Sequence, residues 1–149
     1  MTQYLLDTNI VLRLSNPADR QHRLVVQAVA TLLARADECY LTAQILIEFW
    51  VVATRPIDVN GLGWSIEQVR HVIDRLRDRF PVAEETQQSF PIWLNLVTEN
   101  KIRGKRTHDA RLIAVMLASN IDCILTLNPN DFLGISGITV VHPQEITRL

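Results

Sequence analysis

Apolar and polar positions along this chain fall into blocks, and the period within each block assigns it to a strand or a helix. "QYLLDTN" (3–9) is a short apolar run ended by polar residues, the pattern of a buried strand that stops at Asp7. Leu24, Ala28 and Leu32, with Val25, Val29 and Leu33, recur at helical spacing and predict a helix over 19–36. "ECYLTA" (38–43) reads as a second strand, and residues 43–55 as a helix that Pro56 ends. Beyond the loop "IDVNGLGW", Ser65 and Gln68 have capping-box spacing and open a helix to about residue 78.

"RFPVAE" (79–84) predicts a third strand, and a helix carrying Trp93, Leu96 and Val97 falls within 86–100, its start blurred by Pro91. "THDARLIAVMLASN" (107–120) predicts a helix, "DCILTL" (122–127) a buried strand and "GITVV" (137–141) a last strand. Strands that alternate with helices imply the α/β class, with a central parallel β-sheet covered on both faces. The 149 residues suit one domain, 1–149, and no repeat, low-complexity stretch or linker divides them.

Composition narrows the picture. With 48% hydrophobic and 21% charged residues, no apolar run of bilayer length and no secretory pattern at the N-terminus, the expectation is a cytoplasmic protein with no membrane partner. Cys39 and Cys123 lie far apart in strand-like stretches and read as buried free thiols. A net charge of -1 excludes a broadly basic nucleic-acid binder. Locally, however, Lys101, Arg103, Lys105, Arg106 and Arg111 crowd together with Asp109 as their only acid, giving either a phosphate-attracting patch or a solvated loop and helix start.

The acids carry the candidate chemistry. Ligands of open α/β sheets gather beyond the carboxyl ends of the strands. Asp7 falls at such an end, as does the cluster Thr126, Asn128 and Asp131 in "LTLNPNDF", and Asp109 sits at a helix start on the same side. Glu48 interrupts the apolar run "QILIEFWVVATR"; on a helix, Gln44, Glu48 and Arg55 fall within about 40° of one another and form a narrow polar stripe facing that cleft. Each acid has a plain structural role open to it: Asp109 in a first helical turn, Asp7 and Asp131 in turns, Glu48 paired with an Arg. Together they set like charges at one sheet edge, and a divalent cation is the simplest offset. Oxygen-only ligands point to Mg²⁺ or Mn²⁺ rather than zinc. His22, His71 and His142 lack ligand spacing, and His108 reads as a helix-start polar residue.

In order along the chain, "LLDTNIVL", "TAQILIEFWVVATRP", "IRGKRTHDARLIAVML" and "ILTLNPNDF" resemble the PIN domain, in particular the VapC-type toxin ribonucleases of bacterial toxin–antitoxin pairs. The resemblance covers nearly the whole chain and implies the three-layer PIN-like fold. It carries over the acidic site as Asp7, Glu48 and Asp109. Many members have an Asp two residues after the Thr that matches Thr126; this chain has Asn128 there, so Asn128 or Asp131 takes the fourth position. The resemblance implies that Thr8, Asn9 and Thr126 hold ligands and phosphate, and that Arg103, Lys105, Arg106 and Arg111 grip flanking backbone. It further implies Mg²⁺- or Mn²⁺-dependent hydrolysis of RNA to 5′-phosphate and 3′-hydroxyl ends, an antitoxin partner that covers the cleft, and a homodimer. A housekeeping RNA-processing nuclease shares the same site, and a degenerate PIN-like binding module is a third reading. An aspartyl phosphatase fits less well, since Asn9 stands where its second acid belongs, and a receiver domain lacks its adjacent acids and late Lys.

Overall fold

The structure, a computed structural model, describes residues 1–148; Leu149, the last residue of the expected domain, lies outside the described residues. Five strands form one sheet: β1 (Gln3–Leu6), β2 (Glu38–Thr42), β3 (Val82–Ala83), β4 (Cys123–Leu125) and β5 (Thr139–Val141). All neighbours are parallel, in the order β3-β2-β1-β4-β5. Central β1 pairs Tyr4 with Cys39 on one side and with Cys123 on the other, and Leu5 and Leu6 are fully buried. Burial on both faces is why β1 and β4 read as unbroken apolar runs rather than as alternating strands. From β1 the chain steps outward to β2 and β3, then returns to the far side for β4 and β5. The reversal between β1 and β4 opens a crevice beyond their carboxyl ends.

Seven helices among the described residues flank the sheet: α1 (Thr8–Ser15), α2 (His22–Ala34), α3 (Ala43–Thr54), α4 (Ile66–Arg79), α5 (Ser89–Glu99), α6 (Arg106–Ser119) and α7 (Pro143–Thr147). Helix α1 packs on α2 and α3, α2 on α7, α3 on α4, and α5 on α6. Leu32 and Val29 of α2, Ile45 and Phe49 of α3, and Leu112, Ile113 and Met116 of α6 bury completely or nearly so around the strands. The expected three-layer α/β fold is therefore present.

Local chemistry explains the element ends. Thr42 caps α3, its hydroxyl accepting from the Ile45 amide at 3.2 Å, and Ser65 caps α4 by accepting from Gln68 N at 3.1 Å. Pro91 does not delay α5; it occupies the third helical position, where an N–H has no intrahelical acceptor to lose. The third strand shrinks to Val82–Ala83, paired with β2 alone at the sheet edge. Helices α1 and α7, both short, lie outside the pattern read from periodicity. Arg55 leaves the polar stripe: it is the extended residue that ends α3 (φ -63°, ψ 141°) and makes no ion pair with Glu48. Both cysteines are free and buried, and burial pushes the Cys39 thiol up to about 12. Among the described residues no helix is long and apolar enough to cross a membrane.

Candidate active site

Asp7 is the single residue between β1 and α1, and its backbone bonds to both neighbouring elements. Its amide continues the sheet by donating to Leu125 O of β4 at 3.0 Å, and its carbonyl accepts from Ile10 N and Val11 N at the start of α1. The side chain is only 8% exposed and bound on both oxygens. Thr8 N donates to Oδ1 at 2.8 Å, while the Thr126 hydroxyl (2.8 Å) and Asn9 Nδ2 (3.2 Å) donate to Oδ2. Such bonds to a charged acceptor are worth about 1.5–3 kcal/mol each and favour the carboxylate. Burial nevertheless wins and raises the Asp7 pKa, helped by the charges of Glu48 and Asp131.

Thr126, the first residue beyond β4, is completely buried and saturates its hydroxyl. The hydroxyl donates to Asp7 and accepts from Asn128 N at 3.0 Å and from Asn9 Nδ2 at 3.2 Å. Asn9 closes the ring by accepting from Leu127 N at 3.0 Å. Asn9 and Thr126 thus clamp the β1 and β4 ends together around Asp7.

Glu48 is half-buried midway along α3, and neutral donors meet it instead of an arginine. The Thr8 hydroxyl donates to Oε2 and Gln44 Nε2 to Oε1, both at 2.8 Å. The same Gln44 nitrogen donates to the carbonyl of His108 at 2.8 Å, which ties α3 to the first turn of α6. Gln44 itself is buried, and its Oε1 has no partner. Reversing the amide would set that oxygen against two acceptors, so the network fixes its orientation.

Asp109, in the first turn of α6, receives no hydrogen bond among the described residues. Burial raises its pKa to about 6, and the charges of Asp131, Asp7 and Glu48 add to the rise, against a lowering from Arg106. Asp131, exposed on a 3₁₀ turn (Pro129–Phe132), is the largest of those charge contributions. The Asn128 side chain is exposed, and only its backbone is committed, donating to Thr126 and accepting from Asp131 N. The structure therefore brings the electrostatic influence of Asp7, Glu48, Asp109 and Asp131 onto one cleft.

The donor chemistry suits a hard divalent cation. The acids offer oxygen only, and none joins any of the four ion pairs found among the described residues. Their side chains do not, as they stand, form a ready-made set of three ligands among the described residues.

The basic run divides. Arg103 and Lys105 are exposed and unpaired among the described residues, Arg106 donates to Leu133 O at 2.9 Å, and Arg111 forms a 2.6 Å ion pair with Glu85. Gln44 was visible as part of a stripe but not as the donor that holds Glu48. The pairing of Arg111 with Glu85 had no sequence signal, because the two lie on separate segments.

The fold and its cleft define a parallel α/β domain with an acidic site at the switch between β1 and β4. The chain belongs to the PIN-domain family, whose sequence profile it matches over residues 4–136. Comparison with curated protein sequences finds no match. Among solved structures, the chain is similar to one in VapBC2 from Rickettsia felis bound to a promoter DNA fragment, with 19% identity and a TM-score of 0.71 over 95% of this chain and 98% of that one. It also resembles a chain of a toxin–antitoxin complex from Klebsiella pneumoniae (25% identity, TM-score 0.62, 94% and 97% covered). A third likeness is to Mycobacterium tuberculosis VapC20, a sarcin–ricin loop cleaving toxin (18% identity, TM-score 0.59, 91% and 98% covered).

Proposed function

We propose that this protein is a Mg²⁺- or Mn²⁺-dependent endoribonuclease and the toxin of a toxin–antitoxin pair. The observation that carries the reading is the convergence of Asp7, Glu48 and Asp109 from three separate elements on one cleft, with Asp109 pushed to about 6 and no basic side chain paired to any of them among the described residues. Active sites are where burial and like-charge neighbours are arranged to raise carboxyl pKa values, which makes such a group in a cleft a functional-site candidate. The likeness to chains in toxin–antitoxin complexes, and to a toxin that cleaves the sarcin–ricin loop, supports the choice of RNA and of an antitoxin partner.

Asp7, Glu48 and Asp109 would hold the ion, with Asp131 or the Asn128 carbonyl oxygen as the fourth contributor. When bound, such an ion supplies a more acidic water and neutralises charge on the departing oxygen. The chain's own residues set the geometry. Thr126, Asn9 and Thr8 N immobilise Asp7, and Thr8 and Gln44 fix both oxygens of Glu48. Asp109, which receives no hydrogen bond among the described residues, is the carboxylate able to adjust to a ligand or to hold a proton in slightly acidic solution. Arg103 and Lys105, unpaired on the approach to α6, bind flanking phosphates. The products carry 5′-phosphate and 3′-hydroxyl ends.

The test is single-turnover cleavage of RNA in Mg²⁺, Mn²⁺ and EDTA, with circular dichroism on the same samples. Activity should require the ion, and Asp7→Asn should abolish it in a folded protein. Full activity in EDTA, or in that variant, rejects the mechanism.

A further inference from the structure

A second cavity adjoins the acidic cleft along α6. It encloses about 280 Å³ between α5 and α6, and its wall includes His108, the neighbour of Asp109 in sequence. Two aromatic rings three residues apart on α5 form its floor: Phe90 and Trp93 stack with centroids 5.6 Å apart and planes 27° from parallel. Trp93 is not free to turn, because its indole N–H donates to the Thr107 carbonyl at 2.8 Å. Phe90 remains 63% exposed beside it.

The rim is polar. Arg111 and Glu85 face each other across a 2.6 Å ion pair that uses one oxygen of Glu85. The other oxygen remains to accept from the amino edge of a base, as carboxylates do with the cytosine N4 amine. The unpaired Arg103 and Lys105 stand just before α6, so a strand whose phosphates they attract passes the cavity mouth. Thr107, His108 and Arg111 line the cavity from α6, while Asp109 turns toward the acids of the sheet.

We propose that this cavity is a base-binding subsite: an unpaired nucleobase next to the scissile phosphate stacks on the Phe90–Trp93 pair, with Glu85 and Arg111 at its edge. The proposal rests on the nuclease reading for the identity of the strand. Aromatic stacking is the usual means of holding single-stranded RNA, since splayed bases offer a face for it. A preset ring pair costs little entropy to use, which suits a protein that must seat a flexible strand beside its acids.

The experiment compares a short single-stranded RNA with an abasic oligomer of equal length and charge, in EDTA at low salt so that nothing is cut. Wild type should bind the base-bearing oligomer about 5- to 150-fold more tightly, the range expected for one stacked base. Phe90→Ala should abolish most of that preference without changing abasic binding, and Phe90→Trp should keep it. Because Phe90 is exposed, neither change threatens the fold. Equal binding of both oligomers by wild type, retained preference in Phe90→Ala, or no binding of either oligomer overturns the proposal. Cleavage in Mg²⁺, measured in parallel, separates the two readings. Cutting without base preference removes the subsite alone, whereas base preference without cutting supports the subsite and removes the nuclease.

Discussion

Replacing Asp109 by Asn should make the metal-free protein more stable. The structure supports a magnitude: burial and the neighbouring acids carry the Asp109 pKa from 3.8 to about 6, and at 1.36 kcal/mol per unit the difference amounts to about 3 kcal/mol. The side chain is partly exposed, and solvent screening reduces the expected effect to roughly 1–2 kcal/mol. The sign follows from linkage. A carboxyl whose folded pKa is raised holds its proton more tightly in the folded state, so stability is greatest at low pH and declines as pH rises from about 4 to about 6. Above that window the penalty is constant. Asp109→Asn removes it without breaking a hydrogen bond. In EDTA at pH 7.5 the variant should therefore melt roughly 2–8 °C higher than wild type, and at pH 4 the two should coincide. Saturating Mn²⁺ should reverse the order, because wild type gains RT ln(1 + [L]/Kd), about 2.7 kcal/mol at a hundredfold excess over Kd, and the variant gains less. Thermal melts across pH 4–8, with and without Mn²⁺, decide it. A variant no more stable at pH 7.5, or equally favoured at pH 4, would show that Asp109 suffers no such repulsion.

Two further outcomes follow from the hydrogen bonds and a third from the exposed basic pair before α6. Thr126→Val takes from Asp7 its buried hydroxyl donor and strands Asn128 N; it should cost about 1–3 kcal/mol in urea melts and suppress cleavage, and an unchanged midpoint would contradict the clamp. Gln44→Leu takes from Glu48 one of its two donors and from the His108 carbonyl its side-chain donor, so the stabilisation by Mn²⁺ should shrink while the circular dichroism spectrum persists; an unaltered response to the ion would remove Gln44 as a positioning residue. Neutralising Arg103 and Lys105 together should lower the slope of log K against log salt for RNA binding by about 1.4, at roughly 0.7 per contact with a single strand, whereas an unmoved slope would leave them as solvated surface.

Much of this architecture is legible in the sequence because burial dictates it. β1 and β4 are covered on both faces and so had to be apolar runs, and α3 and α6 carry enough buried positions to show a helical period. Helix α1 escaped because it is eight residues long and starts only two residues after a strand ends; its signal was Asp7 as cap with Ile10 and Val11 buried behind it. Helix α7 had a comparable mark in Pro143 at its first position, with His142 as the cap. The candidate acids could be placed at one sheet edge from element order alone. What met the Glu48 charge could not, since Thr8 lies 40 positions away and the His108 carbonyl that shares its Gln44 donor is backbone, available at any residue type. The aromatic cavity had only the Phe90–Trp93 spacing to announce it, and that spacing reads equally as core.

The bond from Thr126 to Asp7 spans 119 positions, and it bears on the order in which the site comes into being during synthesis. At roughly 5–20 residues per second, a ribosome needs about 6–24 s to travel from one to the other. Throughout that interval the nascent chain has its first acid but neither the hydroxyl that holds it nor the second neighbour of the central strand. Parallel pairing between such distant segments is also intrinsically slow, because loop closure precedes any reward from contact. The acidic cleft built across this seam stays unformed until the β4 segment has emerged.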